Sequence, residues 1–408
     1  MKRKATQGIT KRWQQQAWVL DLAIGVFGPL PFTGNSIEGS YNAIGTDIHN
    51  ETETIRQNVK KISDIKRICT KLAMRRLNAA KEAQRRKSSV SARENYFAAS
   101  LMFGSARWPI WEDDNAELTE LNESMVESYR KYIAYADREI ERIKIPFLGG
   151  NLNGILHFPK RKTDKMTCIL SIPGMDTFKE QMVRMYGDKY LERGHAVLAL
   201  DGPGQGETRI RGIKVTVDNY EKAGKAAMDY LRGLKAIDKD RISMRGQSLG
   251  SYWCPKVLAY DDRFKAGAVT AVCHEPGLGT LFNSAHPSFK LRHMWMTGIF
   301  DETEFDHRYA SKLTLEGVGA KVRCPMIITA GEDDPLSPIK WTYRFFEQIK
   351  GPKKLIVYRG EGHHPNDPQM EHLMADFVSD ALLGRIKESK SLLVDDDGTI
   401  KENRIRNK

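Results

Sequence analysis

The sequence predicts an α/β protein in which a mostly parallel sheet, with helices on both faces, follows an N-terminal helical region. Three observations lead there. Residues 1 to about 143 place apolar side chains at three- and four-residue steps and contain no convincing strand pattern. From Ile145 onward short β-branched runs alternate with helical stretches, as parallel strands joined by crossover helices require. One such run, Arg241 to Met244, leads through Gly246-Gln247-Ser248-Leu249-Gly250 directly into a helical stretch. That is the context a nucleophile elbow needs, a strand and a helix meeting at a sharp turn with a serine at its apex.

The bulk properties narrow the classes. A chain of 408 residues holds one large domain or two moderate ones, and 40% hydrophobic with 28% charged residues suits a soluble globular protein. The net charge of +12 raises the question of an acidic partner. The basic residues are spread, however, with local clusters at Arg75-Arg76, Arg85-Arg86-Lys87 and the C-terminus, and no nucleic-acid motif accompanies them. Solvated helix faces are expected, and no nucleic-acid partner. Five widely spaced cysteines without Cys-x-x-Cys fit buried thiols in a reducing compartment, with neither a disulfide framework nor a metal site. Lys2-Arg3-Lys4 and the apolar run Ala17 to Leu30 imitate a secretory signal. Asp21 interrupts that run, and it is too short to span a bilayer. A cytoplasmic chain with no membrane partner is expected.

Along the first region, Pro29, Pro31, Gly34 and Gly39 mark irregular backbone. Between Asp47 and Arg86, Ile55, Val59, Ile62, Ile65, Ile68, Leu72 and Leu77 trace an amphipathic helical face. Ser91 and Glu94 have capping-box spacing and would open a helix bearing Tyr96, Ala99, Phe103 and Ala106, which Pro109 ends. A further helix from about Glu117 to Arg142 carries Leu121, Met125, Tyr129, Tyr132 and Ala136. These aromatic stripes read as core packing. The texture then changes: Ile145-Pro146-Phe147 and Gly154 to Phe158, joined through Gly149-Gly150-Asn151, form a hairpin. Strands are expected at Thr167 to Ile172, Ala196 to Leu200, Arg241 to Met244, Ala266 to Val272, Met326 to Thr329 and Leu355 to Val357. Helices are expected at Phe178 to Arg193, Tyr220 to Leu234 and Gln369 to Leu383. The interval His274 to Lys321, with Trp295, Phe300 and Phe305, is too long for a simple crossover and reads as a lid. The organisation is thus a helical cap over 1–143, a core over 144–385 with the lid at about 274–321, and a polar, mobile tail over 386–408.

A serine hydroxyl is a poor nucleophile until a base takes its proton and an acid orients that base. On such a sheet the order is Ser, then Asp or Glu, then His, each at the carboxyl end of a strand. Glu332-Asp333-Asp334 follows the run Pro325 to Ala330, and Gly362-His363-His364 follows Leu355 to Val357. Singly each is a polar turn; in this order and at these places they complete a triad with Ser248. Loop phase favours Asp334 over Asp333 and His363 over His364. The oxyanion hole needs two backbone N–H groups. Leu249 supplies one by following the nucleophile, and Pro173-Gly174-Met175-Asp176, after the strand ending at Ile172, supplies the other from Met175. Asp201-Gly202-Pro203-Gly204-Gln205-Gly206-Glu207 is Gly-rich but lacks the Gly-Lys-Ser/Thr ending of a phosphate loop, so it is expected to shape a turn beside the site.

Together these residues resemble the α/β-hydrolase superfamily. Gly174 to Glu180, Asp201 to Glu207, Tyr220-Glu221-Lys222, Gly246 to Gly250 and Ser91 to Ala99 are similar to the branch of 2,6-dihydroxypseudooxynicotine hydrolase and fungal hydrolases that shorten polyketide pigment precursors. The resemblance spans most of residues 45 to 385, although His274 to Lys321 does not follow it. It implies hydrolysis of a carbon–carbon bond beside a ketone, or of an ester or lactone, in a pocket between core and helical cap. It further implies a small-molecule substrate, no cofactor and a homodimer. A carbon leaving group needs a proton from the His363 imidazolium or from an added acid, for which Glu275 in the lid is the candidate substrate-binding residue.

Overall fold

The computed structural model describes residues 5–33, 37–185 and 187–403, so that Gly34, Lys2-Arg3-Lys4 and the last five residues lie outside it. Among the described residues ten strands make one sheet: β1 (Ile140–Phe147), β2 (Gly150–His157), β3 (Met166–Ile172), β4 (Ala196–Asp201), β5 (Ile237–Gln247), β6 (Gly267–Thr270), β7 (Met326–Gly331), β8 (Lys353–Tyr358), β9 (Lys390–Val394) and β10 (Ile400–Glu402). Their spatial order is β1-β2-β4-β3-β5-β6-β7-β8-β9-β10. Everything from β4 to β9 in that order is parallel; β1, β2 and β10 pair antiparallel with their neighbours. All six residues of β4 and of β7 are buried, as expected of strands covered on both faces. From β3 the chain steps outward to β4 and then back across β3 to β5. The order therefore reverses between β3 and β5, where an open sheet of this kind forms a crevice at its carboxyl ends.

Among the described residues six α-helices precede the sheet: α1 (Lys11–Phe27), α2 (Glu38–Ile44), α3 (His49–Asn58), α4 (Ile62–Arg85), α5 (Ser89–Ala106) and α6 (Ala116–Ala134). Every residue of α5 from Tyr96 to Ala106 is buried, and the helix packs between α4 and α6. One apolar cluster runs from Leu20 of α1 through Phe97 and Phe103 of α5 to Val357 of β8, so helices and sheet share a core. Around the sheet lie α7 (Lys179–Met185), the single turn α8 (Lys189–Glu192), α9 (Gly206–Ile210), α10 (Asn219–Gly233), α11 (Leu249–Tyr260), α12 (Ser288–Thr297), α13 (Glu302–Arg308), α14 (Ile339–Gln348) and α15 (Met370–Leu382). A second apolar cluster joins Ile169 and Val197 to Met374 and Phe377 of α15 on the opposite face. No helix among the described residues is long and apolar enough to cross a membrane.

Several boundaries differ from expectation, each for a local reason. The helix expected to reach Arg142 stops at Ala134, because Ile140, Ile143 and Ile145 bury their side chains in β1 paired with β2. Ser91 is not an N-cap. Lys87 turns through the left-handed region at φ 60°, and α5 begins two residues before Ser91. The helix expected over Phe178 to Arg193 is broken into α7 and α8, where Gly187 (φ 71°) and Asp188 (φ 57°) are both left-handed. The largest difference lies beyond Gly384. Ser391-Leu392-Leu393-Val394 adds β9 to β8 in parallel, and β10 closes a hairpin on it. The interval 274–321 folds into short turns with α12 and α13 and buries Phe282, Trp295 and Phe305.

Candidate active site

Ser248 stands between the last residue of β5 and the first of α11 with φ 53° and ψ −123°. A side chain in this region of backbone space costs about 1–3 kcal/mol and persists only where surrounding structure holds it. Here the Ser248 N–H donates to Thr270 O (3.1 Å) and Ser248 O accepts from Ser251 N–H (2.7 Å). The flanking glycines explain how a helix can descend so close to two strands. A Cβ on Gly246 would run into the Gly250 carbonyl, and one on Gly250 would meet Ile172 O at 2.6 Å and Pro173 O at 3.1 Å.

The loops after β7 and β8 bring the other groups to this serine. His363 Nε2 lies 3.0 Å from Ser248 Oγ, and His363 Nδ1 lies 2.8 Å from Asp334 Oδ2. Asp334 is buried, and its Oδ1 accepts from the N–H groups of Leu336 (2.8 Å) and Ser337 (3.3 Å). That turn fixes the carboxylate, which fixes the imidazole with hydrogen on Nδ1 and a lone pair on Nε2 toward the hydroxyl. Asp333 is exposed and contributes its N–H to Glu361 O instead. His364 also lines the cavity, its Nε2 accepting from the Gln247 side-chain amide at 3.1 Å.

The loop after β3 runs alongside. A Cβ on Gly174 would lie 2.9 Å from Ser248 Cβ, so only glycine allows this approach. Met175 N–H has no acceptor among the described residues, and Leu249 N–H, first in α11, has no intrahelical acceptor. Met175 and Leu249, together with Ser248 and His363, border a cavity of about 630 Å³. Its apolar walls include Phe32 from the helical region and Leu281 and Phe289 from the 274–321 segment.

Glu275 does not reach this cavity. The chain reverses at Gly277 and Leu278, both at positive φ, and the Glu275 carboxylate accepts from Thr280 N–H at 2.6 Å. The acid at the reacting end is Asp176, which the sequence reading left without a role. Its Oδ1 accepts from Trp108 Nε1 (2.8 Å) and pairs with Arg292 Nε (2.9 Å), linking the turn after α5, the β3 loop and α12. Burial raises the Asp176 pKa, opposed by Arg292 and Trp108. Arg292 Nε also donates to Met175 O at 2.9 Å. No local signal announces these three, since they are 68 to 184 residues apart in the chain. All five cysteines are free thiols, and no group of metal-ligating side chains occurs among the described residues.

A model of FrsA-like esterases matches residues 69–345. The chain belongs to this family. Among curated relatives, this chain is 26% identical over 188 residues to the hydrolyase poxO of Penicillium oxalicum, covering 44% of this chain and 45% of the other. It is 28% identical over 204 residues to the α/β hydrolase xenA of Xenoacremonium sinensis, 48% of each chain. It is 31% identical over 211 residues to the hydrolase ORFZ of Pyricularia oryzae, 48% of this chain and 49% of the other. The chain thus spans about half the length of the curated relatives it matches. A solved 2,6-dihydroxy-pseudo-oxynicotine hydrolase superposes with a TM-score of 0.74 at 21% identity, covering 87% of this chain and 98% of that one. The fold is accordingly that of the α/β hydrolases.

Proposed function

We propose that this protein is a serine hydrolase that cleaves a carbon–carbon bond beside a ketone in an aromatic or polyketide-like substrate. The observation that carries the reading is the Ser248–His363–Asp334 relay, at 3.0 and 2.8 Å, opening onto an apolar cavity of about 630 Å³. Ser248 Oγ attacks the ketone carbon while His363 Nε2 takes its proton and Asp334 stabilises the imidazolium. The carbonyl oxygen becomes an alkoxide, which the Met175 and Leu249 N–H groups bind. Collapse breaks the carbon–carbon bond, and its electron pair goes to the ring carbon. The His363 proton then moves to that carbon, leaving an acyl-serine that water hydrolyses to a carboxylic acid. An electron-rich hydroxylated ring is required, because an ordinary carbanion is too unstable to leave. Asp176, buried within the cavity, is suited to hold a ring hydroxyl.

A second reading, esterase or lactonase chemistry on the same groups, is favoured by the family to which the chain belongs. Product analysis separates the two: an acid plus a ring with a new C–H supports the first, an acid plus an alcohol the second. Ser248→Ala is expected to leave the fold intact and reduce turnover by about 10⁴-fold. Turnover above about a hundredth of wild type would remove Ser248 from the nucleophile role. A wild-type chain left unlabelled by a fluorophosphonate probe would leave only a binding protein on a hydrolase scaffold. The proposal includes a homodimeric, cytoplasmic protein, whose mass in solution light scattering measures directly.

A further inference from the structure

The turn Asp201 to Glu207 lies outside the reactive relay, yet its glutamine reaches the loop that carries Met175. Gln205 is 2% exposed, and all four hydrogen-bonding positions of its amide are filled. Nε2 donates to the carbonyl oxygens of Pro173 (2.6 Å) and Gly174 (3.0 Å). Oε1 accepts from Gly202 N–H (3.1 Å) and from the Tyr220 hydroxyl (2.5 Å). These partners fix which end is nitrogen, because the reversed amide would set its oxygen against two carbonyls. Tyr220 is held in turn by lying flat on Trp253 of α11, with ring centroids 4.2 Å apart and planes 4° from parallel.

The Gly174 carbonyl belongs to the same peptide plane as the Met175 N–H. In a trans peptide the two point in opposite directions, and the chain has no cis bond among its described residues. Drawing Gly174 O toward Gln205 therefore turns the Met175 N–H away from that turn. A peptide beside glycine has little steric resistance to flipping, so something must hold it. We propose that Gln205 is the positioning residue of the oxyanion hole. Its amide keeps the Gly174–Met175 peptide in the orientation that presents Met175 N–H to the alkoxide formed when Ser248 adds to a carbonyl. The inference rests on the serine-hydrolase reading above, and deepens it by giving the Gly-rich turn a role in the chemical step.

The test uses the full chain with p-nitrophenyl butyrate as acyl probe. Two ketones serve as inhibitors: trifluoroacetophenone, to which a serine adds to give a tetrahedral alkoxide, and acetophenone, which binds without reaction. Gln205→Met keeps the length and removes both donors. It should lower kcat by about 10²–10³-fold, as loss of an oxyanion donor does, with KM changed by less than about threefold. Trifluoroacetophenone inhibition should weaken by the same factor as kcat/KM while acetophenone inhibition holds. Wild-type-like kcat, or equal weakening of both ketones with a raised KM, overturns the inference. Should Gln205→Met fail to fold, Tyr220→Phe keeps the ring stack and removes only the hydroxyl that holds Oε1. It should show the same selective pattern at about three- to tenfold, the worth of one buried hydrogen bond; its absence is equally decisive. An unlabelled wild type in the fluorophosphonate assay would overturn the serine-hydrolase reading itself, which neither variant can do.

Discussion

Replacing Lys179 by methionine tests the foundation beneath the site. Lys179 is fully buried, and its Nζ lies 2.8 Å from Glu180 Oε1, 3.1 Å from Asp201 Oδ2 and 2.9 Å from Glu207 Oε2. Burial alone would lower the amine's pKa, but the Asp201, Glu180 and Glu207 carboxylates raise it above its ordinary value. Methionine fills the stem's volume and strips the charge. Arg142 still reaches Glu207 at 2.9 Å, and Asp201 keeps the N–H groups of residues 179 and 207. Glu180, whose pKa burial already raises, loses its directly paired cation and keeps only the field of Arg107. Breaking a buried pair from one side costs about 3–5 kcal/mol, so a loss of that size is expected in urea unfolding at pH 7. The pH dependence carries a sign. Glu207 is held down to about 2 against burial by Lys179, Arg142 and Arg211, so its stabilisation is present above its ordinary pKa of 4.5 and fades as pH falls toward 2. The gap between variant and wild type should therefore narrow across that acid window. It should also narrow above pH 10.5, where the lysine of the unfolded chain begins to lose its charge while the folded one, its pKa raised by the carboxylates, still holds it. A variant within about 1 kcal/mol of wild type at pH 7 would refute the reasoning, because three carboxylates would then need no cation.

Asp334→Asn should lower kcat by about 10⁴-fold without moving the thermal midpoint, since an amide NH2 toward His363 Nδ1 forces the wrong tautomer while Oδ1 still receives Leu336 and Ser337. Activity above about a hundredth of wild type would contradict that orienting role. Ending the chain at Gly384 removes β9 and β10 and bares the edge of β8. Size-exclusion chromatography should then show aggregation, and a monodisperse truncated chain of unchanged midpoint would mean that the edge needs no cover.

The reactive loops were legible because each follows a β-branched run, and chain order alone then pairs a serine with an acid and a histidine. Choosing Asp334 over Asp333 is a weaker inference from sequence. The structure places it through a turn in which the Leu336 and Ser337 N–H groups claim one oxygen of Asp334 and leave the other for His363. The C-terminal strands were illegible for the opposite reason. Leu392-Leu393-Val394 is three apolar residues between Lys390 and Asp395-Asp396-Asp397, and an edge strand needs little more than that once β8 offers it a partner. Glu275 misled through proximity: it adjoins buried His274, but the chain reverses just after it at Gly277 and Leu278 and brings the Thr280 N–H to its carboxylate.

The same distinction separates Asp176 and Gln205 from the residues found by motif. Both act through groups far away in the chain, Asp176 through Trp108 and Arg292, Gln205 through the two carbonyls before Met175. A motif search reports that Asp-Gly-Pro-Gly-Gln-Gly-Glu is Gly-rich; it cannot report that its glutamine satisfies four partners at once. That satisfaction makes the arrangement discriminating. A buried amide with every position filled has one low-energy orientation, and each flipped peptide in the neighbouring loop would strand at least one polar group. On the proposed reading, preorganisation of the oxyanion site is a property of the Asp201–Glu207 turn as much as of the elbow. Substitutions there should weaken alkoxide binding before they weaken the binding of an unreacted ketone.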